Sequence, residues 1–132
     1  MADQFVVAVV DDDPRLRQLI LEELTDEGVT PIPCETGQHL LDLLQTQTVD
    51  LVFLDLMMPG MDGYRATAEI RKSMDSRKRD VPIIALTASA FLTEKEKAVL
   101  FGMNDHVGKP FSPDELTEKI LNCLATYKGI GQ

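Results

Sequence analysis

Along most of the chain, short unbroken apolar runs alternate with stretches in which apolar residues recur every three or four positions. The first run, Phe5 to Val10, is continuous and β-branched, which predicts a strand covered on both faces. Asp13-Pro14 then opens a helix, with aspartate as N-cap and proline at the first helical position. Leu16, Leu19, Ile20 and Leu24 form its apolar stripe, and Gly28 ends it. Thr30 to Cys34 reads as a second strand, and Pro31 and Pro33 place it at a sheet edge. Thr36 begins a second helix carrying Leu40, Leu41, Leu43 and Leu44. Leu51 to Leu54 is a third buried strand running into Asp55. The turn residues Pro59, Gly60, Asp62 and Gly63 follow, then a third helix from Tyr64 to Met74. Ile83 to Leu86 predicts a fourth strand ending at Thr87, and Thr93 with Glu96 is a capping box for a fourth helix. His106-Val107 is a short fifth strand ending near Lys109-Pro110. Ser112 and Glu115 box the start of a last helix with Leu116, Ile120, Cys123, Leu124 and Tyr127.

Five strand–helix units in succession imply an α/β fold, a five-stranded parallel sheet wound on both faces by helices. The 132 residues suit one domain, with a core from residue 5 to residue 127 and only a stub after it. No run approaches the length of a membrane span, and Met1 to Gln4 lack a basic leader, so the expectation is a cytoplasmic protein with no membrane partner. A formal net charge of −9 argues against nucleic-acid binding. The basic run Arg71, Lys72, Arg77, Lys78, Arg79 is the counter-signal, read here as a solvated loop. Cys34 and Cys123 are read as two buried, reduced thiols, and no Cys/His spacing suits a metal.

In a parallel sheet the ligand site lies at the carboxyl ends of the strands. Here those ends carry Asp11, Asp12 and Asp13 after the first strand, Asp55 after the third, Thr87 after the fourth and Lys109 after the fifth. Clustered carboxylates repel one another unless a cation or protons intervene. Oxygen-only ligands suit a hard ion that keeps some waters, and Mg²⁺ fits best. Lys109 adds positive charge and Thr87 a hydroxyl, so the set reads as a phosphoryl-transfer site in which one carboxylate is the nucleophile and forms an acyl phosphate. Competing structural readings are an N-cap role for Asp13, a turn role for Asp11 or Asp12, and backbone satisfaction by Thr87.

The motifs Val9-Val10-Asp11-Asp12-Asp13, Leu54-Asp55-Leu56-Met57-Met58-Pro59-Gly60, Ala85-Leu86-Thr87-Ala88 and Lys109-Pro110-Phe111, each at a predicted strand end, resemble the response-regulator receiver domains of two-component signalling. The resemblance implies a flavodoxin-like (βα)5 fold with strand order 2-1-3-4-5. It implies that Asp55 is the phosphoacceptor and that Asp12 binds Mg²⁺ directly, with Asp11 acting more through water. The backbone carbonyl of Met57 is the third protein ligand. Lys109 pairs with the phosphoryl oxygens, and Thr87 moves to hydrogen-bond them. His106 stands where the family usually has tyrosine or phenylalanine, a ring that swings as the threonine moves. That motion couples the site to the face formed by the fourth helix, the fifth strand and the last helix. A smaller ring that titrates near neutral pH predicts weaker or pH-sensitive switching; equal partner affinity in a His106→Tyr variant at every pH would refute it.

Met57 and Ser89, two residues after Asp55 and Thr87, offer no charged group to orient an attacking water, which predicts slow self-hydrolysis. The implied partners are a histidine kinase or histidine phosphotransfer protein as donor and an output partner of unknown identity, the chain being a monomer or weak dimer. Similarity of Ala85 to Ala90 and Gly102 to His106 to receivers of hybrid histidine kinases is a further hint. Such a domain catalyses only its own phosphorylation and dephosphorylation. The alternative is a degenerate receiver serving as an unphosphorylated scaffold, although such domains usually lose one of these residues. A haloacid-dehalogenase-type phosphatase fails on its motif, since Asp13 is followed by Pro14 and Arg15.

Overall fold

A computed structural model describes residues 5–58, 60–87, 102–109 and 111–123. Its elements are β1 (Val6–Val10), α1 (Pro14–Asp26), β2 (Thr30–Cys34), α2 (Gly37–Thr46), β3 (Leu51–Asp55), α3 (Gly63–Arg71), α4 (Ser76–Arg79), β4 (Ile83–Thr87), β5 (Asp105–Gly108) and α5 (Pro113–Cys123). The strands form one sheet in the order β2-β1-β3-β4-β5. Every neighbouring pair is parallel, from Val6 opposite Thr30 at one edge to Thr87 opposite Gly108 at the other. This is the doubly wound, flavodoxin-like arrangement that the sequence predicts.

Period-two alternation along the strands divides the core in two. Ala8, Val10, Val52 and Leu54 pack under Leu40 and Leu44 of α2 and Ala66 and Ile70 of α3. Val7, Val9, Leu51 and Phe53 pack under Ile20 and Leu24 of α1 and Leu116 and Ile120 of α5. Each such side chain contributes about 1.5–3 kcal/mol when fully buried. Their combined burial is what lets one rim of the sheet carry desolvated acids. The order reverses direction between β1 and β3, and a crevice at that point is where open α/β sheets bind ligands.

Local chemistry sets the helix starts. Asp13 accepts from the Arg15 N–H at 3.0 Å, Thr36 from His39 N–H at 3.0 Å, and Asp62 from Arg65 N–H at 2.8 Å. Ser112 and Glu115 form the expected reciprocal box, at 2.9 and 3.3 Å. Gly28, after α1, adopts a φ of +83°, which the helix stop there requires. Cys34 and Cys123 are buried and free, and burial pushes both thiols up to about 11. The capping box at Thr93 and the residues Leu124 and Tyr127 lie outside the described residues.

Two expectations need correction. The third helix stops at Arg71, not Met74, because Lys72 and Ser73 N–H turn back three residues to Glu69 and Ile70. Asp75 then caps a separate turn, α4, through the Arg77 N–H at 2.9 Å. Nor is the basic run wholly a solvated loop. Arg71 is half-buried, and its guanidinium donates to Gly102 O (2.9 Å), Arg79 O (2.7 Å), Val81 O (2.7 Å) and Asn104 Oδ1 (3.0 Å). It ties the end of α3 to the chain entering β4 and β5.

Candidate functional site

The ends of β1 and β3 bring three carboxylates together. One oxygen from each of Asp11, Asp12 and Asp55 lies within 4.8 Å of the others. Asp11 is fully buried and Asp55 is 4% exposed, while Asp12 faces solvent. Asp11 Oδ1 accepts from Asp13 N–H at 2.9 Å, and Asp55 Oδ1 accepts from Met57 N–H at 3.1 Å. Lys109 reaches across from the end of β5, its Nζ 3.2 Å from Asp11 Oδ2 and 3.5 Å from Asp55 Oδ1. The lysine is aimed by its own backbone, because its N–H donates to Thr87 O at 2.8 Å.

The electrostatics are unresolved by these contacts. Burial and, next, the negative charge of Asp11 push the Asp55 carboxyl up to about 7, against the opposing pull of Lys109 and the Met57 N–H. Asp11 Oδ2 is buried with no hydrogen-bond donor among the described residues, although the lysine charge is near. A desolvated carboxylate oxygen without an aligned donor, beside two further carboxylates, is a hard-oxygen set that fits a small divalent cation such as Mg²⁺.

Asp55 is also held from behind. Leu56 N–H donates to Leu86 O at 3.2 Å and Gly63 N–H to Leu56 O at 3.1 Å, folding the loop back onto the strand end. A Cβ on Gly63 would lie 2.6 Å from Asp55 O and 2.8 Å from Leu56 Cα, so only glycine fits. Thr87 is buried at the rim, its hydroxyl donating to Val107 O at a long 3.4 Å. Met57 is exposed, with its N–H engaged by Asp55. His106 is half-buried on β5, its Nδ1 3.7 Å from Asp105 Oδ1, which also accepts from Lys119 Nζ at 3.0 Å. Asp13 only caps α1, as its competing reading has it. Ala88, Ser89 and Pro110 lie outside the described residues.

Sequence reading passed over Arg17. Its side chain is only 15% exposed, and Nη1 donates to Asp11 O at 2.7 Å. The signal was present: Arg17 shares the stripe of Ile20 and Leu24, a cation on the face that α1 turns towards the sheet.

A family model, the response regulator receiver domain, matches residues 7–121. The chain belongs to that family. This receiver domain is 38% identical over 119 residues to the heme response regulator HssR of Staphylococcus aureus (strain MRSA252), covering 90% of the chain and 51% of the relative. The chain thus spans about half the length of the curated relatives it matches. Among solved structures, it resembles the receiver domain of the sensor histidine kinase PA1611 of Pseudomonas aeruginosa PAO1, which has a magnesium ion coordinated in its active site cleft. There the TM-score is 0.85 and the identity 31%, covering 94% of this chain and 100% of that one. The chemotaxis protein CheY4 of Vibrio cholerae gives a TM-score of 0.84 at 27% identity, covering 91% and 98%. As a receiver domain of two-component signalling, the chain is a switch and not a metabolic enzyme.

Proposed function

We propose that this receiver takes a phosphoryl group on Asp55 from a phosphohistidine of a histidine kinase or histidine phosphotransfer protein, with Mg²⁺ bound. The observation that carries the reading is Asp11 Oδ2, buried and with no aligned donor among the described residues, in a cluster where one lysine, Lys109, faces the three carboxylates of Asp11, Asp12 and Asp55. The magnesium in the PA1611 receiver supports it from outside. Asp12 would hold the ion directly, with Asp11 acting more through water and the Met57 carbonyl as a third protein ligand. Bound Mg²⁺ supplies positive charge against the oxygens of the transferring group.

Asp55 is the nucleophile. An ionised oxygen of its carboxylate forms the new O–P bond as the donor's P–N bond breaks, and the imidazole nitrogen keeps the electron pair. With the carboxyl pushed up to about 7, a nearby cation is what keeps it ionised at neutral pH. Lys109, already between Asp11 and Asp55, needs little movement to pair with the arriving oxygens. The Thr87 hydroxyl, whose bond to Val107 O is long at 3.4 Å, turns towards them. His106 follows and alters the face of β5 and α5; the fourth helix that the sequence predicts for that face lies outside the described residues. Met57, and Ser89 beyond the described residues, provide no charged group to orient a water, so the acyl phosphate decays slowly. The domain works in the cytoplasm as a monomer or weak dimer and itself binds neither nucleic acid nor membrane.

Incubation with acetyl phosphate, with and without Mg²⁺, followed by intact masses over time, tests this reading. One phosphoryl group is expected on the wild type with Mg²⁺ and none on Asp55→Asn. A folded wild type that gains no mass even from a histidine phosphodonor would favour an unphosphorylated scaffold.

A further inference from the structure

The ladder between β1 and β3 ends at Val10 opposite Leu54, one residue short of Asp11. The backbone that presents Asp11 and Asp12 is therefore outside the sheet. Its N–H side is held by a 3.3 Å bond from Asp11 N to Cys34 O. Its C=O side is held by Arg17 alone among the described residues, through the 2.7 Å bond from Nη1 to Asp11 O. This is a short, charge-assisted contact from a planar group that is largely withdrawn from solvent. The second contact of the guanidinium, Nη2 to Glu35 Oε2 at 3.8 Å, goes to a carboxylate 75% exposed and adds little.

We infer that Arg17 is a positioning residue for the acid pair: by clamping the Asp11 carbonyl to the first turns of α1 it fixes where the two carboxylates present their oxygens. The inference rests on the reading of Asp11 and Asp12 as the acids that hold Mg²⁺. The physical reason is the ion's demand for near-ideal octahedral ligand placement, which a loosened strand end does not meet. The residue touches neither metal nor phosphoryl group and acts only through the backbone of Asp11.

Two effects of Arg17 on a cation site have opposite sign. Its positive charge repels Mg²⁺, so removing the charge should tighten binding. Its clamp preorganises the acids, so removing the clamp should loosen binding, and loss of outer-shell support of this kind typically costs ten- to a hundredfold in metal affinity. The positioning role requires the second effect to win.

The test is calorimetric titration of Mg²⁺ into wild type, Arg17→Met and Glu35→Gln. Amide NMR signals of Asp12 and Asp13 in the metal-free proteins are recorded alongside. Arg17→Met is expected to bind Mg²⁺ roughly tenfold more weakly, with shifted or broadened Asp12 and Asp13 signals, and Glu35→Gln to bind as the wild type does. Unchanged or tighter binding by a folded Arg17→Met overturns the inference and leaves the metal reading standing. A wild type that binds no Mg²⁺ overturns both. Should Arg17→Met not fold, Arg17→Lys decides: it keeps the charge but not the planar fork, so weaker binding supports the clamp and undiminished binding overturns it.

Discussion

Lys109 and Arg71 stand at opposite rims of one sheet, and both are half-buried. Arg71 is matched by its surroundings: four bonds of 2.7 to 3.0 Å run to three carbonyls and one amide oxygen, and the lines of force close. Lys109 is not matched. It divides its charge between two carboxylates, leaves Asp11 Oδ2 without an aligned donor among the described residues, and leaves Asp55 pushed up to about 7. The same ingredients, a cation and desolvated oxygens, thus make a joint at one rim and an unmet demand for positive charge at the other. A protein domain of ordinary stability cannot carry many such demands. Where one is carried, binding or chemistry is the reason to look for.

Opposite signs follow for the two rims. The largest effect belongs to Asp55→Asn in the metal-free chain. Because the folded carboxyl is raised from its ordinary 3.8 to about 7, the folded state keeps a proton that the unfolded chain releases. The wild type is therefore most stable below the unfolded value and weakens as pH climbs through this window towards 7. Asparagine removes that loss. Urea unfolding in EDTA should find the variant more stable by up to roughly 4 kcal/mol at pH 8 and little different at pH 4. A gain that did not depend on pH would break the contrast.

Arg71→Met should act the other way. It leaves the carbonyls of Val81 and its neighbours without their donor, and a loss of about 3 kcal/mol is expected by urea unfolding. Its Mg²⁺ affinity should match the wild type; a weakened affinity would show that the rims are coupled. Gly63→Ala sharpens the picture by a smaller step. The added methyl must displace backbone at Asp55 and Leu56, at a cost of about 2 kcal/mol, and phosphorylation of Asp55 should slow measurably although no polar group has changed.

The acids and the threonine were legible in the sequence because each ends a short apolar run, and the lysine because Lys109-Pro110-Phe111 follows a short strand and completes the receiver pattern. Helix caps were legible because they are settled within three residues. The two arginines were not. What a long side chain reaches is fixed by how distant segments approach: Arg71 meets Gly102 and Asn104 from 31 and 33 positions away. The early end of α3 is a local contest that periodicity does not register, since Asp75 captures the chain for a new turn.

The two prolines of β2 have a consequence for the chain's life in a crowded solution. Thr30 turns its N–H inward, to Phe5 O at 2.9 Å, and alternation along the strand turns the nitrogens of Pro31 and Pro33 outward. The free edge beyond β2 is thereby stripped of two of its donors. An incoming strand from another molecule would find acceptors with nothing to answer its own carbonyls. Self-association by sheet extension is discouraged on that side, which keeps an open parallel sheet from templating aggregates.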